Sequence, residues 1–235
     1  QFWANRDSHD VNYFDPKTDY APTTAISSVS WDDSNFPNIE GFGVWAAKCN
    51  FTMGPDGKMY SRMLGGNLVR IDVENARGEN LTNGDLVGTK DGSAYGLVFD
   101  PQDENVFYFS NNDKHCIYKY DLRTKEWACW AGQEGKSGYL DGPIGQAMFN
   151  KPGQMCVDSE GNIILTDTEN HCIRKITMST GYVSTLAGKP QNSGYVNGSA
   201  EDAQFKKPLG ICIDNDDVMY IGDSENRAIR RLAVE

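Results

Sequence analysis

DTENHCIRKI, residues Asp167–Ile176, is the stretch whose reading decides the fold, because near-copies of it recur at a constant interval. NNDKHCIYKY (Asn111–Tyr120) and DSENRAIRRL (Asp223–Leu232) superpose on it without gaps, each 56 residues away. The likeness extends well beyond the core. Ala131–Asp158 matches Ala187–Asp214 through its glycines, an Ala-x-Phe and a Lys-Pro. A fixed period near fifty residues marks a propeller or a solenoid. Weaker copies lie upstream: NRDSHDVNYF (Asn5–Phe14) keeps the turn and the histidine, and GGNLVRIDV (Gly65–Val73) keeps only the turn glycines and an apolar strand. The chain therefore reads as five blade-sized units, the first already in progress at residue 1.

Phasing the repeats changes the meaning of the histidines. His9, His115 and His171 are all the histidines of the chain, and they share one repeat position, which Arg227 fills in the last unit. A side chain that recurs once per unit is expected to bond backbone at a hairpin of each blade. A histidine metal cluster would need these loops to converge, and radial geometry holds equivalent positions on different blades apart.

Runs of Val, Ile, Tyr and Phe bounded by Gly, Asn, Asp and Pro dominate, and helical periodicity is nearly absent, so the expectation is many short antiparallel strands. The spacing predicts strands at Phe2–Asn5, Val11–Asp15 and near Ala25–Val29, then an irregular aromatic and acidic loop, Trp31–Gly43. Gly54-Pro55-Asp56-Gly57 is a hairpin turn. In the last two units a Gly-rich connection leads to Pro152 or Pro208, a first strand (Gln154–Asp158 or Gly210–Asp214), an acidic hairpin and a second strand (Asn162–Thr166 or Val218–Gly222). Residues 1–235 are expected to form one domain. The first unit lacks a first strand and the last a fourth, which points to missing upstream residues.

The net charge is −11, with 33 acidic residues against 22 basic ones and no basic stripe. Clustered Lys and Arg supply most nucleic-acid affinity, so a nucleic-acid partner is not expected. No run approaches the about 18 apolar residues of a membrane span. The six cysteines follow the repeat, Cys116 with Cys172 and Cys156 with Cys212, and equivalent positions on adjacent blades exceed disulfide reach. Free thiols are expected there, with Cys49 and Cys129 left open.

These residues closely resemble the core signature of the NHL repeat, strongly over Ala131–Glu235, moderately over Ala94–Gly132 and weakly before that. The resemblance implies an all-β, NHL-type β-propeller of four-stranded antiparallel blades, six-bladed when complete. More narrowly, the chain looks like the propeller that follows an immunoglobulin-like IPT/TIG domain in surface proteins of Gram-negative gut bacteria. That implies a lipoprotein in the periplasm or on the outer cell surface, near glycan uptake machinery. Related propellers include metal-dependent lactonases, hydrolases and lyases, which hold an ion in the central channel with acidic, amide or imidazole ligands. Here the residues entering the inner strands are Ala94-Tyr95, Pro152-Gly153 and Pro208-Leu209, which offer no such ligand set.

No Gly-x-Ser-x-Gly elbow is present, and no Ser, Cys or Asp stands beside a histidine in a catalytic motif. Asp214-Asn215-Asp216-Asp217 lacks the ligand and glycine of a calcium loop and reads as a solvated turn. The sequons at Asn50, Asn80 and Asn197 read as chance. Binding candidates are therefore aromatic and polar loop residues: Trp31, Phe36 and Trp45 near the irregular first loop, Tyr95 at an inner strand, and the repeat-related pairs Tyr139 with Asp141 and Tyr195 with Asn197. Rings cover apolar ligand faces while carboxylates and amides take hydroxyls. Trp130, whose repeat partner is Leu186, reads as inter-blade packing. The expected function is a monomeric, non-catalytic binding or scaffolding propeller with a glycan or protein ligand, no catalytic or metal residues and no cofactor. The alternative is a metal-dependent hydrolase, lactonase or lyase with a divalent cation in the channel.

Overall fold

Strand residues that point alternately to two sides give this chain its blades, because both sides of each central strand meet apolar neighbours. The computed structural model describes residues 51–62, 68–72, 74–75, 77–82 and 95–233, together with the strand backbones at 2–4, 11–14, 22–26 and 30–31. The chain divides into two units, Gln1–Asp91 and Gly92–Glu235.

In the first unit, β1 (Phe2–Ala4), β2 (Val11–Phe14) and β3 (Pro22–Ile26) form an antiparallel sheet in that order. The third strand starts three residues before its expected position. Pro22 opens it opposite Phe14, and proline is tolerated as the first residue of a strand, where its missing N–H breaks no ladder. A second sheet contains β4 (Ser30–Trp31), β5 (Thr52–Met53), β6 (Met59–Arg62), β7 (Leu68–Asp72) and β8 (Arg77–Asn80). Its order is β4-β8-β7-β6-β5, with β4 parallel to β8 and the other pairs antiparallel. The β5–β6 turn closes at Gly57, whose φ of +72° suits a residue without Cβ.

The second unit holds three propeller-type blades. The first comprises β9 (Leu97–Phe99), β10 (Val106–Asn111), β11 (Cys116–Asp121) and β12 (Trp127–Gly132), antiparallel in order β12-β11-β10-β9. The second comprises β14 (Pro152–Val157), β15 (Ile163–Asp167), β16 (Cys172–Thr177) and β17 (Tyr182–Ala187), with the two-residue β13 (Gly142–Pro143) added outside β17. The third comprises β18 (Pro208–Ile213), β19 (Met219–Asp223) and β20 (Ala228–Leu232).

Neighbouring blades pack face to face. On β15, Ile163 and Leu165 join Val98, Tyr108, Ile117 and Met155 in one core, whereas Ile164 joins Ile173, Ile211, Met219 and Ile221 in the next. That division buries every residue of β15. Ile163, Ile164 and Leu165 each contribute roughly 1.5–3 kcal/mol by leaving water. Trp130 packs on the first of these cores, its ring 4.2 Å from that of Tyr108. Inner strands approach at glycines: a Cβ on Gly96 would lie 2.9 Å from Gly153 O, and one on Gly153 would lie 2.9 Å from Leu209 O. Thr166 and Thr168 then reach across the seam, donating to Leu209 O at 3.0 Å and Pro208 O at 2.9 Å.

Candidate functional site

The repeated core signature folds as a turn between two strands. After β15, Thr168–Asn170 make one 3-10 turn that ends at His171 in the left-handed region, φ +58°, and Ser224–Asn226 do the same before Arg227, φ +53°. His115 takes the same conformation, φ +56°. The ring reaches forward rather than back into its own hairpin. His115 Nδ1 accepts from Lys151 N at 3.1 Å, and His171 Nδ1 accepts from Lys207 N at 3.2 Å, each 36 residues ahead in the following blade. This assigns the ring proton to Nε2. Burial holds the His115 imidazole below its ordinary value, and the charge of Lys151 adds to that. The histidines thus fasten successive blades.

Strand residues Arg174 and Arg230, two positions past the cysteine slot, carry a denser network. Arg174 is fully buried between the rings of Tyr139 and Phe149, 4.9 and 5.2 Å from its guanidinium carbon. One nitrogen, Nη1, donates to Met148 O at 3.1 Å and Asp167 Oδ2 at 2.7 Å; the other, Nη2, donates to Leu140 O at 2.9 Å and Asp141 Oδ1 at 2.6 Å. Asp167, also fully buried, further accepts from Asn150 N and Asn170 Nδ2. Burial pushes its carboxyl up to about 6 against the opposing pull of Arg174. One guanidinium so ties the 139–149 loop to its own blade.

Arg230 repeats the arrangement between Tyr195 and Phe205, donating to Gln204 O, Asp223 Oδ2, Val196 O and Asn197 Oδ1. The blade of β9–β12 has Asn111 and Tyr118 at the Asp and Arg positions, a neutral pair, and Tyr118 instead stacks on Phe109 and meets the edge of Trp127.

The loop candidates therefore fall inside the clamps. Tyr139 Oη pairs with Thr185 Oγ1 at 2.7 Å, and Asp141 accepts from Thr185 N as well as Arg174. Tyr195 covers Arg230 with one face and remains 61% exposed. Asn197 is exposed and meets Arg230 through its oxygen. Tyr95, partly buried, lies just before β9, and Trp31 is the second residue of β4. Phe36 and Trp45 lie outside the described residues. The structure brings Tyr139 with Asp141 and Tyr195 with Asn197 into two equivalent sites. The arginine at each centre is absent from the sequence-based candidates; its signal was the joint recurrence of Asp167 with Arg174 as Asp223 with Arg230.

Among the described residues no group of three His, Cys, Asp or Glu could hold a metal ion. Cys116, Cys129, Cys156, Cys172 and Cys212 are free thiols. Burial raises the Cys172 thiol well above its usual value. No helix of the described residues is long and apolar enough to cross a membrane.

Residues 149–176, the stretch that holds Asp167, His171 and Arg174, match the NHL repeat. The chain is 28% identical over 173 residues to the Arabidopsis thaliana chloroplastic protein SUPPRESSOR OF QUENCHING 1, covering 70% of this chain and 16% of that one. Among solved structures, a Bacteroides thetaiotaomicron protein of unknown function superposes with a TM-score of 0.82 at 24% identity, over 100% of this chain and 56% of that one. An auxiliary nutrient binding protein of the same organism superposes with a TM-score of 0.71 at 24% identity, over 98% and 54%. The chain thus spans little more than half the length of these solved structures and under a fifth of the curated relative. At these identities the structural likeness concerns the fold, and the conclusion it supports is that this chain carries an NHL repeat within an all-β propeller fold.

Proposed function

We propose that residues 1–235 form a single non-catalytic binding or scaffolding propeller, extracytoplasmic in a Gram-negative bacterium, that takes a glycan or protein ligand on its loops. The observation that carries this reading is the internal engagement of the polar residues a catalytic site would recruit. His115, His171, Asp167, Arg174, Asp223 and Arg230 are all bonded to the fold itself. What remains for a partner is the outer surface of the loops, where Leu140, Tyr195 and Val196 are exposed. A tyrosine ring with a polar neighbour is suited to a sugar or peptide face. The name of the Bacteroides nutrient binding protein agrees with a binding role.

The test is a screen of immobilised polysaccharides and surface proteins, followed by calorimetry on Trp31→Ala and Tyr195→Ala with circular dichroism as the folding control. The reading expects a ligand whose affinity drops at least tenfold in one of these variants while the spectrum is unchanged. Absence of any ligand together with cation-dependent turnover of lactones or esters would overturn it in favour of a channel enzyme.

A further inference from the structure

The two clamps differ at the residue before the glycine, aspartate in one and asparagine in the other, and Asp141 also accepts from Thr185 N. In the blade of β14–β17, Asp141 precedes Gly142 at φ +153°, and its Oδ1 lies 2.6 Å from Arg174 Nη2. One repeat later, Asn197 precedes Gly198 at φ +156°, and its Oδ1 lies 2.8 Å from Arg230 Nη2. Arg174 therefore meets two carboxylates, Asp167 and Asp141, whereas Arg230 meets one, Asp223, and an amide.

We propose that Asn197 is a deamidation site, and that its hydrolysis to aspartate gives the last blade the two-carboxylate clamp already present around Arg174. Three observations support it. First, Asn197 and Gly198 are both exposed, so water reaches the reacting atoms. Second, glycine puts no Cβ beside the attacking nitrogen; a Cβ built on Gly198 would find only Asp202 Cβ, at 3.7 Å. Among the described residues, moreover, the Gly198 N–H donates to no backbone carbonyl outside the ladders. Third, the amide oxygen that must take up negative charge is already bonded to a guanidinium that is only 8% exposed. A donor placed in advance where charge develops lowers the barrier to that step.

The chemistry balances with water alone. Gly198 N attacks Asn197 Cγ, ammonia leaves, and a five-membered cyclic imide results. Water then adds at Cγ and breaks the new Cγ–N bond, restoring the backbone and leaving a carboxylate. Water adding instead at the backbone carbonyl would give isoaspartate, which lengthens the main chain by one atom and draws the carboxylate away from Arg230. The bond to Arg230 uses only the amide oxygen, which the carboxylate retains, and the charged acceptor makes a shorter and stronger bond.

The experiment ages the whole protein at neutral and mildly alkaline pH and maps its peptides by mass spectrometry that separates aspartate from isoaspartate. Exposed Asn192, before Ser193 in the same tryptic peptide, is the internal control. The expected result is conversion at Asn197 several-fold faster than at Asn192, with aspartate the main product. Independently, Asn197→Asp should melt above the wild type by roughly 2–4 °C, the response of a chain of this size to about 1 kcal/mol. Persistence of the Asn197 amide as long as that of Asn192, isoaspartate as the main product, or a variant that melts below the wild type would each overturn the proposal.

Discussion

Replacing Arg174 by methionine, which keeps an unbranched apolar stem, removes four hydrogen bonds from one buried point. Asp167 and the carbonyls of Leu140 and Met148 then lose their charged donor inside the fold, while Asp141, part exposed, can turn to water. Removing one partner of a buried ion pair costs about 3–5 kcal/mol. For a chain of this length that is a fall in Tm of about 6–20 °C, read by calorimetry. The pH dependence carries the sharper test. The Asp167 carboxyl stands at about 6 in the fold, above its ordinary value of 3.8. A carboxyl raised in the folded state stabilises fully below the unfolded pKa, and that contribution is lost as pH rises through the folded value. Without Arg174 the folded value rises further, because burial then acts with less opposition. The deficit of Arg174→Met should therefore shrink as pH falls from about 7 to about 5. The double change Asp167→Asn with Arg174→Tyr, which installs the Asn111 and Tyr118 pair of the preceding blade, should recover part of the loss. A single variant that melts within the about 0.5 kcal/mol band of surface changes, or whose deficit is constant with pH, would refute the clamp as a stabilising unit.

Further outcomes follow from the seams and the thiols. Gly153→Ala places a Cβ 2.9 Å from Leu209 O and 3.0 Å from Thr168 Oγ1, and such overpacking should cost about 1–3 kcal/mol in denaturant titration. His115→Ala leaves the Lys151 N–H without its acceptor, a loss of about 1–3 kcal/mol at neutral pH. Because burial depresses the folded pKa of His115, its contribution is complete above about pH 6.5 and lost as pH falls through the folded value. The variant should accordingly lack that part of the acid transition. Maleimide labelling of the native protein should modify exposed Cys212 before buried Cys116 and Cys172, which react only at the rate of unfolding; rapid native labelling of either buried thiol would contradict the blade packing.

Most of the blade plan was legible because the repeat is dense in turn chemistry. The predicted strands Gln154–Asp158 and Asn162–Thr166 appear as Pro152–Val157 and Ile163–Asp167. The offset of the first arises where Pro152 opens a strand that the usual reading of proline would exclude. The histidine slot was legible as structural, but its target was not. A single repeat cannot reveal that His115 bonds Lys151 N, 36 residues ahead, because no periodicity encodes which backbone atom of another blade comes within reach. Arg174 was hidden for a different reason. It lies in Cys172-Ile173-Arg174-Lys175-Ile176, where a charged pair in the middle of a strand reads as solvated, and only the three-dimensional return of the 139–149 loop supplies its carbonyls and rings. Tyr139 and Asp141, read from the sequence as binding candidates, both contact Arg174 of the same chain.

Four of the contacts that cross from blade to blade join a side chain to main chain. Histidine and threonine side chains speak, and the main chain of the next blade answers, through Lys151 N, Lys207 N, Pro208 O and Leu209 O. Every residue type except proline has that N–H, and every residue has that oxygen. For these four bonds a copied blade would consequently find partners on its neighbour whatever side chains stood there, while the apolar faces would still have to fit.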